Sequence, residues 1–164
     1  MSDLIDYDYK IITIDSDSNV ATYRDSSNCD FFLTLDDPFR NVFKINIITM
    51  LLNIPNNSYL KTNLNSIYVN LNNYNRIISK NINAFDSIII ENPITDSTPT
   101  NNTTIKNEYY ASDSIFYLNP IEPQLKRFSI RLIDNNNITI PKSYINRFVM
   151  KIGVYYNNKK TTRI

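Results

Sequence analysis

Apolar and polar residues alternate in short runs along this chain, and clusters of Asn, Asp and Pro separate the runs. A period of two sends successive side chains to opposite faces of a strand. Residues 10–14 (KIITI) form the first such run, and residues 30–35 (DFFLTL) the second, with Asp36-Asp37-Pro38 reading as the turn that stops it. Residues 66–71 (SIYVNL) set Ile67, Val69 and Leu71 on one face. Residues 85–90, 108–118 and 128–133 also read as extended. Residues 147–156 place Phe148, Met150, Ile152, Val154 and Tyr156 on one face, with Arg147 and Lys151 pointing away. Residues 93–106 are polar, lack a period and contain two prolines, which predicts a long exposed loop.

The run at residues 41–54 (NVFKINIITMLLNI) admits two readings. As a strand it puts Phe43, Ile45, Ile47, Thr49 and Leu51 on one face. As a helix it groups Phe43, Ile47, Met50, Leu51 and Ile54. The β-branched Val42, Ile45, Ile47, Ile48, Thr49 and Ile54 are stiff at χ1 and favour the strand. Pro55 ends it.

These runs predict about eight strands and no helix. The expected fold class is all-β: an eight-stranded antiparallel single jelly roll, a two-sheet sandwich. The expected division is an N-terminal arm and first strand at residues 1–22, one jelly-roll domain at 23–156 and a C-terminal tail at 157–164. A chain of 164 residues is long enough to bury a core without staples.

Composition narrows the chemistry. With one Gly in the chain, tight turns fall to Asn and Asp, which tolerate left-handed backbone. Asn56-Asn57, Asn72-Asn73 and Asn135-Asn136-Asn137 stand where turns are needed. The absence of His removes Ser-His-Asp, Cys-His and His–metal sites. Gly153 lies within a strand reading, so no Gly-rich phosphate loop exists. Cys29 is the one cysteine, so no intrachain disulfide forms. Asp36-Asp37 reads as a turn rather than a carboxylate pair. The stretch Asp134 to Asn137 is similar to a calcium loop but lacks its Gly and distal Glu, so a hairpin turn is expected. Neither a catalytic residue, nor a cofactor, nor a metal site is expected.

The net charge of +1 implies no steering toward nucleic acid or an anionic membrane. Residues 1–10 are acidic without an apolar core, so no secretory signal is expected, and no run reaches the length of a membrane span. Charge is nevertheless uneven. Asp3, Asp6, Asp8, Asp15 and Asp17 open the chain, and Lys159, Lys160 and Arg163 close it. Tyr109-Tyr110 and Tyr155-Tyr156 each put one ring outward on a strand, a candidate interface anchor.

Three stretches carry a family resemblance. Tyr23-Arg24-Asp25 precedes the strand at 30–35. Pro38-Phe39-Arg40 leads into the long apolar run that ends in Ile54-Pro55-Asn56-Asn57-Ser58-Tyr59. Pro123-Gln124-Leu125-Lys126-Arg127 leads into an amphipathic strand ending at Asp134. In this pattern the chain resembles the single jelly-roll penton and minor capsid proteins of large double-stranded DNA viruses and their virophages. Relatives often carry a Gly after that last Asp, where this chain has Asn135.

The resemblance implies a structural protein of the virion. Five copies of it would form a ring at each fivefold vertex of an icosahedral capsid, beside the major capsid protein and other minor capsid proteins. The interface candidates are Arg24, Asp25, Pro38, Phe39, Arg40, Asn56, Asn57, Tyr59, Pro120, Pro123, Lys126 and Arg127, to which the uneven charge adds Lys159 and Lys160. The alternatives are a cement protein between capsomers and a receptor- or carbohydrate-binding sandwich.

Overall fold

The structure is a computed structural model, described for residues 7–18, 21–27, 29–55, 66–79, 81–89, 103–108 and 115–158. Its described strands are β1 (Asp8–Asp15), β2 (Ala21–Ser27), β3 (Asp30–Ile54), β4 (Ser66–Leu71), β5 (Ile77–Ser79), β6 (Ile82–Ala84), β7 (Asp86–Ile89), β8 (Thr103–Glu108), β9 (Ile115–Ile133) and β10 (Arg147–Tyr156). A short 3-10 turn, Lys142–Tyr144, precedes β10. The protein is all-β. One antiparallel sheet follows the order β1-β10-β3-β9-β4-β7, with β2 and β8 also paired to β3, and β5 and β6 form a small second sheet.

The two longest strands organise the rest. β3 and β9 run antiparallel from Asp30↔Arg131 to Asn46↔Ile115, and their ladder breaks between Thr34 and Phe39 and again between Val42 and Lys44. Either side of the breaks the neighbours change. The first half of β3 takes β2 on its other edge. The second half takes β10, and further along it pairs with β8. The far half of β9 takes β4, which takes β7. Breaks of this kind bend and twist a pair of strands, so the sheet curls around one interior. Phe31, Ile45, Met50, Leu52, Ile67, Phe128, Phe148 and Ile152 fill that interior, each almost fully buried.

The residues 41–54 form strand, but the face is not the regular one. The inward set on β3 is Phe31, Leu33, Phe39, Val42, Ile45, Ile47, Met50, Leu52 and Ile54. Its steps of three fall at irregularities. Asn41 adopts a left-handed φ of 50°. At the β10 ladder, Ile152↔Ile47 is followed by Lys151↔Thr49, leaving Ile48 as the extra residue of a bulge. Each bulge moves the next side chains to the opposite face. Phe43, Thr49 and Leu51, expected inward, are therefore half-exposed. Mixed steps of two and three also explain why a helical period fits this run.

Other expectations change at their boundaries. Asp36-Asp37-Pro38 does not end a strand. All three are exposed and extended within β3, in the gap of the β9 ladder, where a proline without an N–H breaks no rung. The predicted loop at 93–106 is strand from Thr103 onward, because β8 pairs residues 49–54 of β3; the rest of it, and Tyr109-Tyr110, lie outside the described residues. The asparagine turns are present at Asn72 and Asn137, with φ of 49° and 63°. The Asn72 amide and side-chain oxygen clasp Ser129, donating to its carbonyl at 2.8 Å and accepting from its N–H at 2.7 Å. The Asp134 carboxylate accepts the amides of Asn136 and Ile138 and closes the β9 turn. Asn56-Asn57 falls outside the described residues.

Candidate interaction surface

The bend of β3 and β9 gathers most of the described interface candidates at one corner. Phe39 pairs with Leu125 and Arg40 with Gln124 across the ladder. Pro38, Arg40, Pro120, Pro123, Lys126 and Arg127 are all exposed there. Phe39 is the exception. It is buried and packs against Tyr156, ring centres 4.6 Å apart and tilted, so it supports the corner from beneath instead of offering a contact. A cleft of about 460 Å³ opens over it, lined by Lys10, Asp37, Pro38, Arg40 and Tyr156. A second of about 510 Å³ adjoins it around Glu122, Lys126 and Arg127, where the Arg127 guanidinium sits 4.7 Å from the Phe32 ring centre. Both clefts share Gln124.

The chain's last described residues are tied to the same corner. The Asn157 amide donates to the Arg40 carbonyl at 3.2 Å, and Asn41 Nδ2 donates to the Asn157 carbonyl at 3.0 Å. Arg24 and Asp25 lie on β2 in the irregular stretch between the pairs Tyr23↔Phe31 and Ser27↔Asp30. Asn56, Asn57, Tyr59, Lys159 and Lys160 fall outside the described residues.

A second surface escapes the sequence reading. Tyr9 pairs with Tyr155, Tyr155 with Lys44 and Lys44 with Tyr117, so one row of side chains crosses β1, β10, β3 and β9 on the outer face. Tyr7 and Phe43 complete it: Tyr7 lies 5.6 Å from Tyr155 and 6.0 Å from Phe43. Lys44 Nζ sits 3.7 Å from the Tyr155 ring centre, a close cation–π contact. Burial first, then the neighbouring Tyr9, Tyr7 and Tyr117, raises the Tyr155 hydroxyl above the usual tyrosine pKa.

The next row explains the single glycine. Ile11 pairs with Gly153 and Gly153 with Asn46. A Cβ at Gly153 would stand 2.5 Å from Tyr9 Cε2 and 2.6 Å from its hydroxyl, and would also strike Asn46 Oδ1. The Tyr9 ring thus occupies space over backbone that only glycine leaves open.

The signal for this surface was partly in the sequence. The outward ring of the Tyr155-Tyr156 pair is Tyr155, and Tyr156 packs on the core. The Tyr7, Tyr9 and Ile11 series was hidden because the first strand starts at Asp8, ahead of the KIITI run.

Among the described residues no group of three or more Cys, Asp or Glu side chains converges to hold a metal. Cys29 is fully buried. No described helix is long and apolar enough to cross a membrane. No family model matches the chain, and no curated protein matches it.

Proposed function

We propose that this chain is a single jelly-roll capsid subunit, the penton protein that assembles as a ring of five at the fivefold vertex of an icosahedral virion. One observation carries the reading: the order of paired segments. The bends divide β3 and β9 into halves, which with β1, β4, β7 and β10 make eight segments in chain order. One layer then runs first, eighth, third, sixth: β1, β10, the second half of β3 and the first half of β9. The other runs second, seventh, fourth, fifth: the first half of β3, the second half of β9, β4 and β7. That interleaving is the order of a jelly roll, two Greek keys folded together. In this reading β2 and β8 extend the layers at their edges, and β5 and β6 are an added hairpin.

The sequence resemblance supports the same assignment, since Pro38 to Arg40 and Pro123 to Arg127 meet at the corner between the layers. A ring requires two different patches on each copy, each facing the other's complement. The polar corner and the tyrosine face are two such patches on one rigid wedge. The major capsid protein is the proposed neighbour outside the ring.

Light scattering of the purified chain tests the reading. A species of five times the 19.2 kDa chain mass supports it. A monomer or dimer at all concentrations contradicts the ring and favours a cement role between capsomers.

A further inference from the structure

β9 loses a partner on each edge at the corner, and a cleft opens there. Its ladder with β4 ends at Leu71↔Ile130. Its ladder with β3 is broken between Thr34↔Arg127 and Phe39↔Leu125. This is the second of the two corner clefts, about 510 Å³ in volume. Small-ligand sites commonly span roughly 300–1,000 Å³. Its walls are set before any ligand arrives. Asn72, at a left-handed φ of 49°, is clasped to Ser129. The Arg127 guanidinium is steadied over the Phe32 ring.

Both signs of charge line this cleft. Lys126 and Arg127 bring cations and Glu122 a carboxylate. Among the described residues none of the three is in an ion pair, so all three are free to meet a ligand. An independent sign lies beneath. The Tyr74 hydroxyl is buried and has no hydrogen-bond partner among the described residues. Burial raises its pKa, the Asn72 side chain opposes the rise and the Glu122 charge adds to it, so both of these cleft residues lie near the hydroxyl. A buried hydroxyl left unpaired costs stability, and a ligand or the water it carries supplies the missing partner.

We propose that this cleft binds a sugar that carries a carboxylate. The lining selects that class. The planar fork of Arg127 matches a carboxylate, and Lys126 adds a point charge. Glu122 repels phosphate and other bare anions, yet accepts hydrogen bonds from hydroxyls. Asn72, Asn73 and Gln124 each donate and accept, as a ring of hydroxyls requires. A neutral sugar leaves the cations unused, and an apolar ligand leaves every polar group unpaired. The inference needs one chain only. It goes beyond the assembly reading and leaves the Lys10 cleft to the subunit contacts of the ring.

Isothermal titration calorimetry of the full chain tests this. Sialyllactose and glucuronic acid are the carboxylated sugars, with lactose and inorganic phosphate as controls. Saturable binding of at least one carboxylated sugar is expected, and the pair distinguishes a sialic from a uronic acid. Arg127→Gln and Glu122→Gln are each expected to weaken it on the order of tenfold. Tyr74→Phe is expected to weaken binding while thermal stability holds or rises, a split that a merely structural hydroxyl would not give. Lys10→Gln removes the same charge as Arg127→Gln from the adjoining cleft and is expected to leave binding unchanged. Far-UV circular dichroism checks that each variant folds. The inference is overturned if neither carboxylated sugar binds, or if lactose or phosphate binds as tightly. Equal loss in Lys10→Gln and Arg127→Gln also overturns it, as does binding that Arg127→Gln and Tyr74→Phe leave unmoved. Light scattering of the same samples reads the ring separately. A chain that binds the sugar without forming rings keeps this inference and loses the assembly reading, and rings that bind no sugar do the reverse.

Discussion

Tyr9 and Gly153 form a lock of one ring on one bare backbone position. Gly153→Ala forces the added methyl against the ring and Asn46, and overpacking of this kind costs roughly 1–3 kcal/mol. Urea unfolding of the variant measures it, and unchanged stability would show that the ring moves aside freely. Charge gives a second test at this scale. The hydrogen bond from Arg147 holds the Asp15 carboxyl below its usual pKa, against an opposing push from burial, with the Asp17 amide assisting. A carboxyl lowered by folding contributes stability above its unfolded pKa and loses it as pH falls through the folded one. At Asp86 burial dominates and raises the carboxyl despite the Ser87 amide and Arg76. Its contribution has the reverse sign and grows as pH falls. Asp15→Asn is therefore expected to flatten the acid loss of thermal stability, and Asp86→Asn to steepen it. Thermal melts across the acid range read both, and identical slopes contradict the assignments.

β3 shows how an element can satisfy two periods at once. Its bulge at Ile48 restores Met50, Leu52 and Ile54 to the interior after Ile45 and Ile47. Deleting Ile48 keeps that inward set in simple alternation, whereas deleting Leu51 turns Leu52 and Ile54 outward. The first deletion is expected to retain cooperative unfolding and the second to lose it; equal damage from the two would mean the bulge does not set the register. Clean alternation at β4 and β10 was legible in the sequence because neither strand's inward set is interrupted. The faces of β3 were not legible, since a bulge leaves no residue signature beyond its own misfit. β8 was hidden because Thr103 to Glu108 is polar and becomes strand by borrowing the edge of β3. The corner candidates were legible through prolines and arginines. The tyrosine face was legible only at Tyr155, because the rest of it arises when four strands come into register.

At the scale of the molecule, one curled antiparallel sheet closes around a single interior, and the proposed role rests on the shape that interior holds. Phe128 anchors that interior from the middle of β9, and Phe128→Ala is expected to cost about 3–5 kcal/mol. If five copies form a ring, assembly and fold stability should fall together in that variant. The most direct test is electron-microscope imaging of the purified, assembled chain. Closed rings whose class averages show fivefold rotational symmetry are the expected result. Twofold particles, open filaments or isolated subunits at every concentration would contradict it.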